Sequence, residues 1–207
     1  AEPGLDVFAT ASPSDVTGAD LVVLPGSRST LADLDWLRRL GLADALAARA
    51  AAGGPILGIC GGYQMLTELI DDPIESARGV EPGLGLLPAR VRFSAEKILG
   101  EPSGSWRGHR VVGYEIHHGV VEPTGGEPFL DGVRTGNTWG TIWHGAFEND
   151  GFRRAWLSEL AATVGSTWRP AEGGPGFAER RTLMLDELAD ALEAHADVDA
   201  LLDLATN

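Results

Sequence analysis

The stretch Pro55-Ile56-Leu57-Gly58-Ile59-Cys60-Gly61-Gly62-Tyr63-Gln64 decides how this sequence is read. Its first half is a short apolar run, the composition of a strand buried on both faces of a parallel sheet. Its second half passes through glycines into a segment with helical character from about Tyr63 to Ile70. A residue at such a strand-to-helix junction projects from the carboxyl edge of the sheet, where α/β proteins bind their ligands. The glycines on either side permit the tight turn of a nucleophile elbow. Cys60 stands at that junction. A helix starting beside it offers backbone N–H groups and a positive dipole end, which predicts a lowered thiol pKa and a binding place for an oxyanion. Two other readings remain open: Cys60 as a small buried hydrophobe, and Cys60 as a redox-sensing thiol, which needs no base.

Outward from this point the pattern alternates. Upstream, Leu21-Val22-Val23-Leu24 is another bare apolar run, halted by Pro25-Gly26. A helix follows with Ser29 or Thr30 as its cap and Leu31, Leu34 and Leu37 on one face, broken at Gly41 before an alanine-rich helix that ends at Gly53-Gly54. Leu5 to Thr10 has the look of a short strand, followed by turn and capping residues at Ser12 to Asp15. Downstream, Leu86–Phe93, Arg110–Ile116 and Thr138–Trp143 read as strands with few helices between them, and the Pro- and Gly-bearing stretch Glu122–Asn137 as loops. Asn149 or Asp150 caps a helix to about Val164. Residues 165–176 read as a flexible connection, and Arg180–Leu204 as an acidic amphipathic helix or pair. Strands alternating with helices define an α/β fold with a mostly parallel sheet, an antiparallel extension and helices on both faces. The domain expectation is one unit over residues 1–165, with residues 166–207 forming a connection and a helical segment packing on it.

Composition narrows the function. The 207 residues carry 30 acidic and 16 basic side chains, a net charge of −14. Such a balance argues against a duplex-binding surface, which needs clustered Lys and Arg. Lys97 is the only lysine, and no Gly-Lys-Ser or Gly-Lys-Thr occurs, so an ATP site is not expected in this chain. One cysteine excludes an internal disulfide and a Cys-rich zinc site, and no metal is expected. The 28 glycines and 12 prolines, about a fifth of the chain, stay below the level of low-complexity sequences. No apolar run approaches a membrane span and no signal segment opens the chain, so a cytoplasmic location is expected. Because the first residue is Ala1 and not methionine, a fragment or a processed chain is expected.

A nucleophilic Cys60 needs a base, and five histidines are present. His195 falls in the acidic terminal helix and His109 beside Arg110 in a turn. His117 and His118 are adjacent on a strand and point to opposite faces, so at most one can reach a given pocket. His144 follows a strand and precedes Gly145, where catalytic side chains often lie. On these grounds His144 leads, with His117 and His118 still in play.

Four blocks occur in order: Leu24-Pro25-Gly26-Ser27-Arg28-Ser29-Thr30, Gly58-Ile59-Cys60-Gly61-Gly62-Tyr63-Gln64-Met65-Leu66, Gly113-Tyr114-Glu115-Ile116-His117-His118-Gly119 and Gly140-Thr141-Ile142-Trp143-His144-Gly145. Together they resemble the glutamine amidotransferase domain of cobyric acid synthases, over nearly the whole chain. The resemblance implies a flavodoxin-like class I glutaminase sheet, with Cys60 attacking the side-chain amide of glutamine and His144 moving the protons. It further implies oxyanion donors around Gly26 and Ser27 and at Gly61, and a glutamine pocket lined by Gln64 and by Tyr114, Glu115 and His117. Ammonia would serve the amidation of corrin side-chain carboxylates in cobalamin biosynthesis, with ATP and magnesium held by an N-terminal synthetase domain absent from this chain. The family also implies a strand and helix ahead of Leu5. Related glutaminases of cobyrinic diamide or cell-wall precursor synthesis share the elbow, and a non-catalytic regulatory or binding module would keep the fold alone. In many class I glutaminases a glutamate two places after the histidine orients it; that position is Ala146 here, as in cobyric-type enzymes, and Glu148, four residues after His144, is expected to be a solvated loop carboxylate, with a substitute orienter as the alternative. A base without a fixed orienter implies weak activity in isolation.

Overall fold

The computed structural model describes residues 2–206. The chain divides into two compact units, one spanning Asp6–Arg169 and one built from its two ends. The first carries all four blocks. It opens with α1 (Pro13–Gly18), β1 (Val22–Leu24), α2 (Thr30–Arg39), α3 (Leu42–Ala51), β2 (Ile56–Ile59) and α4 (Gly61–Leu66). Next come β3 (Leu69–Asp72), β4 (Gly79–Pro82), β5 (Ala89–Gly100), β6 (Ser103–Trp106), β7 (His109–Val112) and β8 (Glu115–Pro123). The unit closes with β9 (Glu127–Phe129), β10 (Gly132–Thr135), β11 (Thr138–Thr141), a 3-10 turn at Ala146–Glu148 and α5 (Asp150–Thr163). In the other unit, α6 (Phe177–His195) has no buried residue and is followed by α7 (Val198–Thr206).

The main sheet has five strands in the order β1-β2-β11-β10-β9. Its first three strands are parallel, with Val22 opposite Ile56 and Thr138 also opposite Ile56. β10 and β9 then extend it antiparallel, as expected of the class. Strand alternation sends Ile56 into one core and Leu57 into another. The first core joins Leu24, Leu34, Leu46, Ile56, Leu66 and Val133 under α2, α3 and α4; the second joins Leu57, Phe129, Trp139, Phe152 and Trp156 under α5. Helices therefore cover both faces. Each fully buried leucine or isoleucine here contributes on the order of 1.5–3 kcal/mol of transfer free energy.

Four local expectations are corrected. Leu5–Thr10 forms no strand, and Val7 and Phe8 stand in solvent. The helix after Cys60 stops at Leu66, because Leu69 and Ile70 are taken up by β3, which pairs with β5 on one side and β4 on the other. Glu122–Asn137 is not loop throughout but holds β9 and β10. Pro128, which cannot donate to a ladder on both sides, is tolerated because β9 is an edge strand. Finally, β1 is buried on one side only: Val23 is exposed, since β1 is the opposite edge of the sheet among the described residues. A second sheet, β4-β3-β5-β8, and the hairpin β6-β7 complete the unit.

One arginine ties this architecture together. Arg49, on the alanine-rich α3, is 6 % exposed and donates to the carbonyls of Val16, Asp20 and Pro55. It thereby fixes α1 and the entries to β1 and β2 against α3.

Candidate active site

Adjacent parallel strands end at adjacent points. β1 runs into Pro25-Gly26, β2 into Cys60 and β11 into the segment that ends at His144, so the strand order places these three segments side by side at the carboxyl edge. The contact is direct. A methyl group built on Gly26 would lie 3.0 Å from Cε1 of His144 and 3.8 Å from Cβ of Cys60. Both side chains thus meet over the bare face of one glycine.

Cys60 takes φ 50 and ψ −113, a conformation that L residues avoid and that costs about 1–3 kcal/mol. The surroundings hold it there. Its N–H donates to the carbonyl of Thr141 at 2.8 Å, and its carbonyl accepts from Gln64 N–H at 2.9 Å, starting α4. The two following glycines are required by close packing: a Cβ on Gly61 would sit 2.6 Å from the Ser27 nitrogen, and one on Gly62 only 2.0 Å from the Leu24 carbonyl oxygen.

The same approach leaves a group of backbone donors side by side. Among the described residues, the N–H groups of Gly26, Ser27 and Gly61 donate to no protein oxygen, and Gly61 N–H is directed at the Cys60 sulfur. Ser27 keeps its turn through its hydroxyl, which donates to Asp33 at 2.5 Å and accepts from Ser29 N–H.

The thiol itself is not activated in the manner expected. Burial pushes the Cys60 pKa up, the Gly61 N–H only partly opposes this, and the negative charges of Asp131 and Glu75 add to the rise. A helix of six residues, ending at Leu66, does not outweigh desolvation. The His144 imidazole moves the other way: burial lowers its pKa, and the neighbouring His117 lowers it further. The resting pair is therefore a neutral thiol and a neutral imidazole, a nucleophile facing a base able to accept its proton.

The other sequence candidates occupy different places. His117 is buried, donates from Nδ1 to the Gly119 carbonyl at 2.9 Å and has Nε2 3.4 Å from Glu115 Oε2, so both ring nitrogens are engaged. His118 points across the strand to the carbonyl of Ser94. Gln64 is buried, accepts from the Thr30 hydroxyl and donates to the Gly119 carbonyl, which bridges α2 and β8. Tyr114 pairs through its backbone with His144 and stacks its ring on the imidazole, with centroids 5.0 Å apart and planes 13° from parallel.

Asp131 was not singled out in the sequence, because it falls in a stretch read as loop. It is exposed as a residue yet accepts hydrogen bonds from the Thr141 hydroxyl at 2.5 Å and from Ile142 N–H, pinning the segment that carries His144. Desolvation pushes its pKa up, and those hydrogen bonds partly offset it. Asn149, one of the two cap candidates of the sequence, is the N-cap residue of α5 but makes no side-chain cap bond there. Its amide exchanges two hydrogen bonds with the backbone of Val112 and donates to the Ala146 carbonyl, so it stitches β7 to the turn after His144.

A parallel sheet delivering a cysteine at a strained elbow, a histidine and free backbone donors to one point defines a glutaminase-type site, and a family profile agrees. The chain belongs to the CobB/CobQ-like glutamine amidotransferase family, whose profile matches residues 1–152. It is 57 % identical over 201 residues to a cobyric acid synthase of Streptomyces avermitilis, covering 97 % of this chain and 40 % of that protein. With a cobyric acid synthase of Cutibacterium acnes it shares 55 % identity over 207 residues, 98 % of this chain and 43 % of that one. The chain thus spans about two fifths of the length of these relatives, and it is a glutamine amidotransferase domain homologous to part of them. A crystal structure of a glutamine amidotransferase superposes with a TM-score of 0.60 at 20 % identity, over 78 % of this chain and 88 % of that one, which supports the fold.

Proposed function

We propose that this domain is the glutaminase of a cobyric acid synthase, in which Cys60 and His144 release ammonia from glutamine for the amidation of corrin side-chain carboxylates in cobalamin biosynthesis. The observation that carries the reading is the meeting of Cys60, His144 and unpaired backbone N–H groups over Gly26. As the Cys60 sulfur attacks the amide carbon of the glutamine side chain, its proton passes to the neutral His144 imidazole. The oxygen that gains charge is received by the N–H groups of Gly26, Ser27 and Gly61. The imidazolium returns its proton to the leaving nitrogen, and ammonia departs from a glutamyl thioester. A water then gives a proton to His144 and attacks the thioester, which frees glutamate and restores the thiol.

ATP and magnesium belong, in this proposal, to an N-terminal synthetase region that activates the corrin carboxylates and also binds the corrin. The sequence carries no Gly-Lys-Ser or Gly-Lys-Thr, and its one lysine is Lys97. The enzyme is placed in the cytoplasm, where a catalytic thiol stays reduced; no described helix is long and apolar enough to cross a membrane. The test is glutamate release from L-glutamine, alone and with the synthetase region supplied, with Cys60→Ser as the control. Release lost in Cys60→Ser, with Cys60 labelled by a glutamine-analogue electrophile, is the expected result. Neither release nor labelling in the presence of the synthetase region overturns it.

A further inference from the structure

The base of the proposed glutaminase lacks the usual device for aiming an imidazole. Among the described residues the His144 ring takes part in no hydrogen bond and no ion pair, and the position two residues on is Ala146. Yet a base that swings freely would spend little of its time facing the thiol. Something else must set its plane.

The contacts around the ring identify it. His144 and Tyr114 exchange both backbone hydrogen bonds, each 2.9 Å, which is a narrow antiparallel bridge outside any regular strand. Gly113 makes that approach possible, since a Cβ there would stand 2.6 Å from the His144 carbonyl oxygen. Gly145, at φ +70, turns the chain away immediately afterwards, and a Cβ on it would meet the Tyr114 ring at 3.5 Å. With the two backbones clamped, the Tyr114 ring lies nearly parallel on one face of the imidazole. Gly26, having no Cβ, leaves room for the Cε1 edge. Rotation of the ring about its own bond would have to break the stack on Tyr114.

We propose that Tyr114 is the positioning residue of this site, and that its aromatic face, stacked on His144, holds the imidazole toward Cys60 in place of an orienting carboxylate. This assigns Tyr114 a role different from lining a glutamine pocket. It rests on the glutaminase reading above, and it makes a separable claim about the ring. The interaction is between π faces, so the phenol oxygen is dispensable and the flat ring is not.

Three variants test it: Tyr114→Phe, Tyr114→Leu and Tyr114→Ala, each with its thermal unfolding recorded. Tyr114 is 49 % exposed, so the fold should survive all three. Phe should keep kcat within about twofold, while Leu and Ala lose about ten- to hundredfold in kcat with KM for glutamine nearly unchanged, as displacement of a catalytic group by about 1 Å does. In parallel, the His144 Cε1–H resonance should sit upfield in the wild type and in Phe, and move downfield in Leu and Ala as the ring current is lost. Should Phe be as impaired as Ala, or should KM rise with kcat intact, Tyr114 contacts substrate and the proposal fails. It fails equally if the resonance does not move. A wild-type domain that neither releases glutamate nor is labelled at Cys60 with the synthetase region supplied would sink the glutaminase reading, whereas the resonance would still decide the stacking.

Discussion

Replacing Gly26 by alanine adds a single methyl at the point where the nucleophile and the base meet, and it should separate catalysis from stability. The new carbon would lie 3.0 Å from His144 Cε1, against ordinary contacts of about 3.4–4 Å, and 3.8 Å from Cys60 Cβ, which it does not disturb. The imidazole must therefore retreat by about 0.4 Å or more, and the Tyr114 ring behind it restricts where it can go. If a misplacement of about 1 Å costs on the order of a hundredfold, a shift of half that predicts a fall in kcat of about tenfold, or about 1.4 kcal/mol of activation free energy. The N–H of residue 26 is kept, so the backbone donors are retained and KM should stay within about twofold.

Stability should hardly move in this variant. Gly26 is exposed and is not among the glycines with positive φ, so alanine fits its backbone, and the less flexible unfolded chain favours the variant by about 0.4–1 kcal/mol. That roughly offsets the tight contact. The assay is continuous glutamate release, with thermal unfolding and electrophile labelling of Cys60 measured on the same sample. A Gly26→Ala domain that unfolds at the wild-type temperature and retains full kcat would show that His144 does not stand over Gly26 during turnover, and the geometric argument would fall.

Four further outcomes follow from the same structure. The acid limb of kcat/KM should have its midpoint below 6.5, because burial and His117 lower the His144 pKa and only the neutral imidazole accepts the thiol proton; a midpoint above 6.5 contradicts this. By linkage, the unfolded chain binds more protons than the folded one between that lowered pKa and 6.5, so His144 makes stability rise with pH across this window, which denaturant titrations at several pH values will register. Gly62→Ala would force a methyl to 2.0 Å from the Leu24 carbonyl, and with no flexible side chain able to yield, a loss of about 3 kcal/mol or a failure to fold is expected by thermal unfolding. Arg49→Ala should cost about 3–5 kcal/mol in urea unfolding, since the carbonyls of Val16, Asp20 and Pro55 lose a buried charged donor together, while the glutaminase site, built elsewhere, keeps its kcat.

How much of this was readable beforehand depended on whether a signal was local. The elbow was legible because apolar strand, cysteine and glycines are contiguous, and the glycines' reason for being there, close approach to Leu24 and Ser27, is the general reason for glycine in such turns. β9 and β10 were hidden because three and four residues with Pro128 and Gly132 have little strand propensity of their own; they exist by pairing, β10 with β11 and β9 with β10. Leu5 to Thr10 failed in the opposite sense, having the composition of a strand and no pairing partner among the described residues. Arg49 lay invisible in an alanine-rich helix, where an arginine reads as solvated, because two of its carbonyl partners, Val16 and Asp20, lie far upstream, in and just after α1, and only Pro55 is nearby. Asp131 and Tyr114 share that cause: each acts on the segment leading to His144 from another part of the chain. The sequence order of β2 and β11 likewise conceals that they are neighbours, so the reading that favoured His144 from its place at a strand end could not show that this end lies beside that of β2.

The electrostatics of the site oppose idle chemistry, and this bears on how such a domain is used. Desolvation raises the thiol pKa and lowers the imidazole pKa, so an ion pair is disfavoured at rest and Cys60 is a poor general nucleophile. In the proposed reaction the proton moves as charge develops on an oxygen received by the N–H groups of Gly26, Ser27 and Gly61. Nucleophile strength is then conditional on an amide carbonyl standing beside those donors. The proposed stacking of Tyr114 on His144 fits the same condition. A carboxylate on the imidazole would stabilise the imidazolium permanently and raise its pKa, favouring the resting ion pair, whereas an aromatic face fixes the plane of the ring without adding negative charge.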